Sequence, residues 1–221
     1  MADKKYLIEI NHVGKKFGDL TVLKDISVKV KEKEVVVIIG PSGSGKSTLL
    51  NILGGMDTLT TGEYYYNDIA VHKLKGNALH NFRKENVSFI FQQFALMKHY
   101  TVFENVEIPL IANGLSKKQR KEIVMEKLKA MGIADLAKKL PANISGGQQQ
   151  RCAIARALAS DRDMILADEP TGALDKKTGV EIMETLRSVN DIGKTLIVIT
   201  HDEKIADMGD RILNIEDGRL I

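Results

Sequence analysis

The sequence is poor in residues that crosslink a chain or anchor it in a membrane. It has one cysteine, Cys152, and no tryptophan among its 221 residues. Because one cysteine cannot form an internal disulfide, we expect a reducing compartment and a small buried role for Cys152 in a helix. The longest run without a charge, Asn86 to Met97, is well short of the ~18 apolar residues that span a membrane. The N-terminus lacks the apolar block of a signal peptide, so the sequence predicts a cytoplasmic chain without a membrane span.

Blocks of like charge are also missing. The 32 basic and 29 acidic residues give a net charge of +3, and the two signs are interspersed. Nothing in this pattern favours a basic arm for nucleic acid or a polybasic membrane anchor, so we expect no nucleic-acid partner. A hydrophobic share of 43% with 28% charged residues is typical of globular domains and excludes a disordered or fibrous chain.

What the sequence does contain is a set of strand patterns. Tyr6–Ile10 and Ile26–Val30 alternate with period two, as half-buried antiparallel strands do. Three continuous apolar runs, Val35–Ile39, Met164–Ala167 and Thr195–Thr200, have instead the pattern of parallel strands covered on both faces. The sequence therefore predicts an N-terminal antiparallel part followed by a parallel sheet.

A helical pattern connects the last two of these strands. Ile182, Leu186 and Val189 recur at helical spacing, and Gly193 follows as a C-terminal cap. A strand, a helix and a strand in that order predict a parallel α/β sheet.

The middle of the chain has a different pattern, which we interpret as a helical lobe over residues 93–159. Ser116 is a good N-cap for a helix over Lys117–Met131, whose apolar residues lie on one face. After an interruption at Pro141, an alanine-rich helix is predicted over about Gln148–Ala159. Residues 1–92 and 160–221 then form the α/β core into which this lobe is inserted.

A glycine-rich segment follows the first buried strand directly and matches the pattern G-x-x-x-x-G-K-[ST]. Its residues are Gly40, Pro41, Ser42, Gly43, Ser44, Gly45, Lys46 and Ser47. Glycines let backbone N–H groups turn inward around a phosphate, and the helix that follows adds its partial positive charge. We expect Lys46 to reach the β- and γ-phosphates and the Ser47 hydroxyl to bind Mg²⁺. The segment therefore predicts a nucleotide site.

Two adjacent carboxylates, Asp168 and Glu169, end the second buried strand. Desolvating two unpaired carboxylates costs several kcal/mol, so such a pair indicates a cation or a catalytic task. Ligands of nucleotide-binding sheets gather at the carboxyl ends of the strands. We therefore expect Asp168 to hold Mg²⁺, through water, and Glu169 to polarise the attacking water.

Three further features are less specific on their own. Ser145, before the two glycines of the alanine-rich helix, marks either a second anion-binding helix N-terminus or an ordinary N-cap with flexible glycines. Gln92 follows the apolar run Val87–Phe91. His201 follows the strand that ends at Thr200. A lone histidine at a strand end is more often structural than catalytic, but its place beside the other strand-end groups favours a catalytic role here.

Together these residues resemble the nucleotide-binding subunits of ATP-binding cassette (ABC) transporters over essentially the whole chain. The resemblance implies a P-loop NTPase (RecA-like) core with an N-terminal antiparallel β subdomain and an inserted helical subdomain. It also implies ATP hydrolysis with Mg²⁺, an ATP-dependent dimer of two copies, and a separate integral membrane permease, in some systems with an adaptor protein. The chain would lie on the inner face of the cell membrane, held there by the permease.

The resemblance also implies roles for individual residues. Glu169, His201, Lys46 and Gln92 form the implied catalytic set, and Phe17 would stack on adenine. The implied ATP contacts are Phe17, Gly40, Pro41, Ser42, Gly43, Ser44, Gly45, Lys46, Ser47, Thr48, Gln92, Ser145, Gly146, Gly147, Gln148, Asp168, Asp175 and His201. The implied Mg²⁺ ligands are Ser47, Gln92 and Asp168. The chain departs from the family at Ile144, where leucine is common, and at Gly172, where serine is usual.

Three segments, Asn51–Asp57, Phe89–Gln92 and Ala167–Asp175, look like the ATPases of MacB-type and LolD-type systems. Those systems serve macrolide and antimicrobial-peptide efflux or resistance, or lipoprotein release. Because the sequence stops soon after the last predicted strand, we expect no C-terminal regulatory domain of the kind found in many sugar importers.

Two other functions share these motifs. FtsE-type ATPases, which control cell-wall hydrolases through a membrane partner, are the alternative, although they more often have Asn in place of Ala173. A DNA-repair or chromosome-organising ATPase needs a long coiled coil between the phosphate loop and the signature. Only a short segment without sustained heptads separates Lys46 from Ser145, which argues against that class.

Overall fold

The computed structural model describes residues 6–221, which form two β-sheets and seven α-helices. The five residues before them, where the sequence lacks a signal peptide, lie outside the described range. The strands are β1 (Tyr6–Phe17), β2 (Leu20–Lys31), β3 (Val35–Ile39), β4 (Thr61–Tyr66), β5 (Ile69–Ala70), β6 (Val87–Phe91), β7 (Met164–Asp168), β8 (Thr195–Ile199), β9 (Arg211–Glu216) and β10 (Arg219–Leu220). The helices are α1 (Lys46–Leu53), α2 (Gly76–Asn86), α3 (Val102–Ala112), α4 (Lys117–Ala130), α5 (Gly146–Ala159), α6 (Lys176–Asp191) and α7 (Glu203–Ala206).

The larger sheet has the strand order β10-β9-β3-β8-β7-β6 and confirms the predicted parallel sheet. All its strands are parallel except β10 at the edge. In β3, Val35 and Val37 belong to the core shared with α3–α7, and Val36 and Ile38 belong to the core shared with α1, α2 and the second sheet. Because both faces of the strand are covered, its sequence is apolar without alternation.

The second sheet is antiparallel, with the order β2-β1-β4-β5. Its first two strands are longer than the alternating segments of the sequence suggest. His12 and Asp25 have φ values of 52° and 63°, and the β1–β2 register shifts between Ile10 and Val13. Bulges of this kind reset which side chains face the core, which is why the period-two pattern stops before the strands do.

Strand β9 was not predicted from the sequence. Arg211 and Glu216 stand at its ends, Ile212 is 41% exposed, and Ile215 is its buried residue. No continuous apolar run therefore marks it. It pairs in parallel with β3, on the side opposite β8, so the sheet extends beyond the last strand that we predicted.

The helical predictions need one correction of a boundary. Ser145 caps α5, which begins at Gly146 and not at Gln148, because the Gln148 side chain completes a capping box with Ser145. Ser116 caps α4 as predicted. Gly193, with φ of 96°, follows α6 and donates its N–H to the Asn190 carbonyl, which confirms the predicted C-terminal cap.

Cys152 lies inside α5 and is fully buried, as predicted. Burial raises the pKa of its thiol to about 12, so the side chain acts as a small packing residue. Across residues 6–221, none of the helices combines the length and the hydropathy that crossing a membrane requires.

Candidate active site

The glycine-rich segment forms a loop between β3 and α1 at the carboxyl end of the parallel sheet. Gly45, at the N-cap of α1, has φ of 105°, a left-handed conformation that glycine adopts without strain. The Lys46 side chain is buried, and its Nζ donates to the carbonyls of Gly40 (2.8 Å) and Pro41 (2.7 Å). This loop borders a cavity of about 240 Å³. Its lining residues are Val22, Ser42, Gly43, Gly45, Lys46, Ser47, Thr48 and Glu169.

Strand β7 brings Asp168 to the same cavity edge. The Ser47 hydroxyl donates to Asp168 Oδ1 at 3.3 Å. Burial raises the pKa of Asp168; the hydrogen bond from Ser47 opposes that shift, and the charge of Glu169 adds to it. Two of the three residues predicted to hold Mg²⁺, Ser47 and Asp168, are therefore adjacent.

Glu169 and His201 meet at the ends of neighbouring strands. The Glu169 N–H donates to the Ile199 carbonyl (3.0 Å), which ties the end of β7 to the end of β8. Glu169 Oε2 lies 3.2 Å from His201 Nδ1. Glu169 also has φ of 46°, and a non-glycine residue in that region is a strain often found at functional sites. The structure thus brings together the predicted acid and the predicted histidine.

Gln92, which follows β6, also reaches this group of side chains. A Cβ added to Gly172 would lie 2.7 Å from Gln92 Nε2 and 3.0 Å from Glu169 Oε2. The tips of these two side chains therefore both lie beside Gly172. Both are the ends of flexible side chains that can move, so nothing in the structure explains the departure from the family pattern at Gly172.

The residues around Ser145 lie apart from the phosphate loop, at the start of α5. Ser145 Oγ accepts from the Gln148 N–H (3.3 Å), and the Ser145 N–H donates to Gln148 Oε1 (2.9 Å). A Cβ on Gly147 would lie 2.7 Å from Thr178 Cγ2 of α6. The structure therefore packs the predicted signature against the next helix rather than against the phosphate loop of the same chain.

Asp175 occupies the N-cap of α6. It accepts two hydrogen bonds from Thr178, from the backbone N–H (3.0 Å) and from the hydroxyl (2.6 Å). These bonds, the hydroxyl first, lower the pKa of the Asp175 carboxyl. Asp175 also borders a cavity of about 210 Å³ together with Glu169 and His201, so it lies beside the catalytic candidates.

Phe17, the predicted adenine platform, is 51% exposed at the end of β1. The Nζ of Lys15 lies 4.6 Å from the centre of its ring. That lysine is itself fixed by Asp57, at 2.6 Å, and by the carbonyl of Thr58. The ring is therefore available on one face but stands outside the residues that line the phosphate cavity.

Sequence reasoning missed two contributors to the site. Val22 lines the phosphate cavity, but a valine in an alternating strand carries no signal of that role. The turn Asp217–Gly218, between β9 and β10, contacts the phosphate loop through the hydrogen bond from Gly218 N–H to the Ser44 carbonyl. An Asp-Gly pair is a hairpin signal, and it would have indicated the turn although not its contact.

Arg156 of α5 was also not predicted. Phe94 and Ala95, just after Gln92, have φ of 60° and 47°. Arg156 donates to both of their carbonyls, at 2.9 and 2.6 Å, and burial lowers the pKa of its guanidinium. The helical part of the chain thus holds the segment after Gln92 in a left-handed bend.

Comparisons with known proteins agree with this geometry. A family model described as "ABC transporter" matches residues 23–172. The chain is 44% identical to the macrolide export ATP-binding/permease protein MacB of Salmonella typhimurium and 42% identical to that of Burkholderia pseudomallei. Both comparisons extend over 219 residues, 97% of this chain. The chain spans 34% of the length of these curated relatives.

Solved structures resemble the chain over nearly its whole length. The ATP-binding cassette MJ0796, in a dimeric post-hydrolysis state bound to ADP and Pi, has a TM-score of 0.87 and 44% identity over 96% of both chains. The cbiO1 protein of Clostridium perfringens, part of the complex cbiONQ, has a TM-score of 0.91 and 27% identity, covering 98% of this chain and 87% of that one. The similarity therefore extends well beyond the phosphate loop.

Proposed function

The chain belongs to the ABC transporter family and is an ATPase of that family, and from this premise we propose that two copies close around two ATP molecules to drive an integral membrane permease. One observation carries the proposal. Lys46, Asp168, Glu169 and His201 converge at the carboxyl ends of three adjacent strands, β3, β7 and β8. This arrangement can hold a triphosphate and a water molecule side by side.

We assign the binding of ATP to the phosphate loop and the residues bordering it. The N–H groups at the start of α1 and the Lys46 ammonium supply positive charge to the β- and γ-phosphates. To reach them, Lys46 Nζ exchanges the carbonyls of Gly40 and Pro41 for phosphate oxygens. Phe17, with one face exposed, stacks on the adenine.

The residues present fit a magnesium ion. The Ser47 hydroxyl and the Asp168 carboxylate are adjacent, and oxygen atoms are the ligands that Mg²⁺ prefers. Burial raises the pKa of Asp168, so a neighbouring cation would offset the cost of its charge. We assign Ser47, Asp168 and Gln92 to this ion, which when bound supplies compensating charge for the phosphates.

We assign the role of general base to Glu169. Its Oε2 accepts a proton from the attacking water, and His201 Nδ1, 3.2 Å away, holds the carboxylate in position. Gln92 Nε2, which like Glu169 Oε2 lies beside Gly172, orients the water. Hydrolysis therefore depends on three neighbouring strand ends, with positioning and charge as the main contributions.

The signature around Ser145 is the reason to propose a dimer. It lies at a helix N-terminus that can bind an anion, yet within one chain it is packed beside α6. A phosphate can meet both this N-terminus and Lys46 when the signature belongs to a second copy. The dimeric state of MJ0796 supports this assignment for a chain that is 44% identical to it.

A mixed dimer tests this proposal. A Lys46→Ala chain paired with a Ser145→Arg chain has one composite site without either element and one site with both intact. Each variant alone should be inactive, and the mixed dimer should recover up to half of the wild-type ATPase rate per dimer. The pair is purified through two different tags so that only heterodimers are assayed.

Two results would contradict the composite site. One is a purified heterodimer that binds ATP but hydrolyses none of it. The other is an ATP-bound wild-type monomer that remains monomeric on size exclusion and hydrolyses at the full rate. The mass-action dependence of dimer formation on ATP concentration gives an independent check.

The permease contact is proposed for the segment after Gln92. Of the apolar residues in this segment, Leu96 packs partly against the helical core and Met97 is 52% exposed. Tyr100 is 45% exposed nearby, and the buried Asn105 holds the loop with hydrogen bonds to Met97, Tyr100 and Thr101. The surface offered to a partner is therefore Met97 with Tyr100, while Leu96 supports it from below.

Replacing Met97 with Asp should separate coupling from catalysis. The basal ATPase of the isolated chain should stay within about twofold of wild type, because surface substitutions are usually within ±0.5 kcal/mol. Stimulation by a co-expressed permease should be lost. Ile192→Asp is the matched control, since Ile192 is 66% exposed just before β8, at the amino-terminal end of the parallel strands and not at the carboxyl end that Met97 follows. Equal loss of stimulation in both variants would contradict the docking site.

Among transport classes, we propose MacB-type efflux of macrolides or antimicrobial peptides, with lipoprotein release as the other outcome. The curated relatives named above are macrolide export proteins, which favours efflux. The chain would work at the inner face of the membrane, bound to its permease and, where present, an adaptor protein. The ATPase of the chain should rise with a MacB-type permease and not with a lipoprotein-release permease.

A further inference from the structure

We propose that the β9–β10 turn is a strut that holds the phosphate loop in its binding conformation, with Gly218 as a positioning residue. The turn lies in the part of the fold that sequence motifs do not mark. Gly218 donates its N–H to the Ser44 carbonyl at 3.1 Å and accepts at its own carbonyl from Lys24 N–H at 2.7 Å. A single residue thus joins the phosphate loop to strand β2.

The other end of the phosphate loop is supported by the same hairpin. A Cβ on Gly40 would lie 2.0 Å from the Ile215 carbonyl oxygen of β9. Gly40 begins the loop and Ser44 lies near its end, so β9 and its turn contact the loop at both places. No side chain could be fitted at Gly40 without moving the backbone of β9 or of the loop itself.

The strut acts on the cavity wall through Val22. A Cβ on Gly218 would lie 2.2 Å from the Val22 carbonyl oxygen and 3.0 Å from its carbon. The same oxygen would be 3.1 Å from a Cβ on Gly45, so both glycines pack on one carbonyl. Val22 lines the phosphate cavity. A side chain at Gly218 must therefore displace backbone that the phosphate loop contacts, because these atoms are not the ends of flexible side chains.

The direct test is Gly218→Ala, compared with Gly193→Ala. Both glycines have left-handed backbone, with φ of 77° and 96°, so both substitutions carry similar strain. The nearest atom to a Cβ on Gly193 is Lys33 Cε at 3.5 Å, the flexible part of a side chain. The two variants therefore differ in their contact with the phosphate loop.

We expect Gly218→Ala to raise the Kd for ATP, measured with a fluorescent nucleotide on the isolated chain, by about tenfold or more. Its turnover at saturating ATP should fall less than its affinity does. Gly193→Ala should have a melting temperature comparable to that of Gly218→Ala and should bind ATP with wild-type affinity. Wild-type affinity in Gly218→Ala, or an equal loss in both variants, would overturn the strut.

The inference rests on the proposed nucleotide site, and the experiment separates the two. Loss of ATP binding in Lys46→Ala supports the site, and absence of binding by the wild type would overturn site and strut together. If Gly218→Ala does not fold, amide hydrogen exchange of the wild type decides. ATP should slow exchange at Gly218 and Lys24 by at least threefold more than at Gly193, and an equal effect at all three would contradict the strut.

Discussion

Two helix N-termini of this chain that contain glycine, at the phosphate loop and at Ser145, differ in how their backbone N–H groups are satisfied. At α1 the N-cap is Gly45, and no side chain within residues 6–221 caps the helix. At α5 the Ser145 and Gln148 side chains cap the helix reciprocally. The first N-terminus keeps its N–H groups available to a ligand, whereas the second is already satisfied by its own residues.

The two N-termini also differ in how closely other parts of the chain pack against them. The phosphate loop is buttressed by Ile215 and Gly218, while Ser145 is exposed at the surface. A helix end that is capped and exposed is stable without a ligand and can still present its dipole to one. This difference is what the proposed composite site requires, in which the phosphate loop of one copy and the Ser145 N-terminus of the other bind the same nucleotide.

The largest expected effect comes from replacing Glu169, which should separate ATP binding from ATP hydrolysis at the phosphate loop. Glu169→Gln should lower turnover by ~10²-fold or more, the usual consequence of losing a general base. ATP binding should persist, and the variant should accumulate as an ATP-bound dimer on size exclusion. Glu184→Gln, at an exposed position of α6, is the control. Near-normal turnover in Glu169→Gln would mean that another group, such as His201, is the dominant catalyst.

An intermediate effect tests the comparison itself. Lys46→Ala should weaken ATP binding by the isolated chain ~10- to 100-fold, because hydrogen bonds to charged groups contribute about 1.5–3 kcal/mol. Ser145→Ala should lower the free energy of unfolding by about 1 kcal/mol through loss of the cap, with monomer ATP affinity unchanged. Calorimetry measures the ATP affinity of each variant, and thermal unfolding measures its stability. An equal loss of ATP affinity in Lys46→Ala and Ser145→Ala would show that the two N-termini bind nucleotide within the same chain.

The smallest effect concerns stability and its pH dependence. Because burial raises the pKa of Asp168 in the folded chain, the folded state binds this proton more tightly than the unfolded chain, whose pKa is ~3.9. The cost of the ionised carboxylate is thus fully present above the folded-state pKa and disappears as pH falls towards ~3.9.

Asp168→Asn should therefore stabilise the nucleotide-free chain by about 1 kcal/mol at pH 7, a typical gain when a functional group is removed. The gain should shrink as the pH is lowered. Thermal unfolding in EDTA from pH 7 to pH 4 measures it, with Asp191→Asn at the end of α6 as a control. If the stabilisation by Asp168→Asn were constant over this pH range, the cost of burying the ionised Asp168 carboxylate could not be its cause.

The predictable part of the site consists of residues whose role is written in local spacing. The segment Gly40–Ser47, the pair Asp168 and Glu169, and His201 each follow a strand that is apolar because both of its faces are covered. Parallel strands bring their carboxyl ends to one edge of a sheet, so the convergence of these residues follows from the order of strands and helices.

The parts that could not be predicted depend on contacts between distant backbone segments. Glycine at position 40 is required by the carbonyl of Ile215, and glycine at position 218 by the carbonyl of Val22. Neither requirement leaves a periodic trace, because it is set by the space between elements and not by which face of an element is buried.

By itself, the sequence determined the nucleotide chemistry, the parallel sheet and the caps of α4, α5 and α6, because each depends on residues within one turn or one strand. Only the tertiary structure decided that β9 joins the sheet beside β3, that Arg156 holds the bend after Gln92, and that the last hairpin supports the phosphate loop. Those contacts join residues far apart in sequence, and their geometry exists only once the two cores have packed.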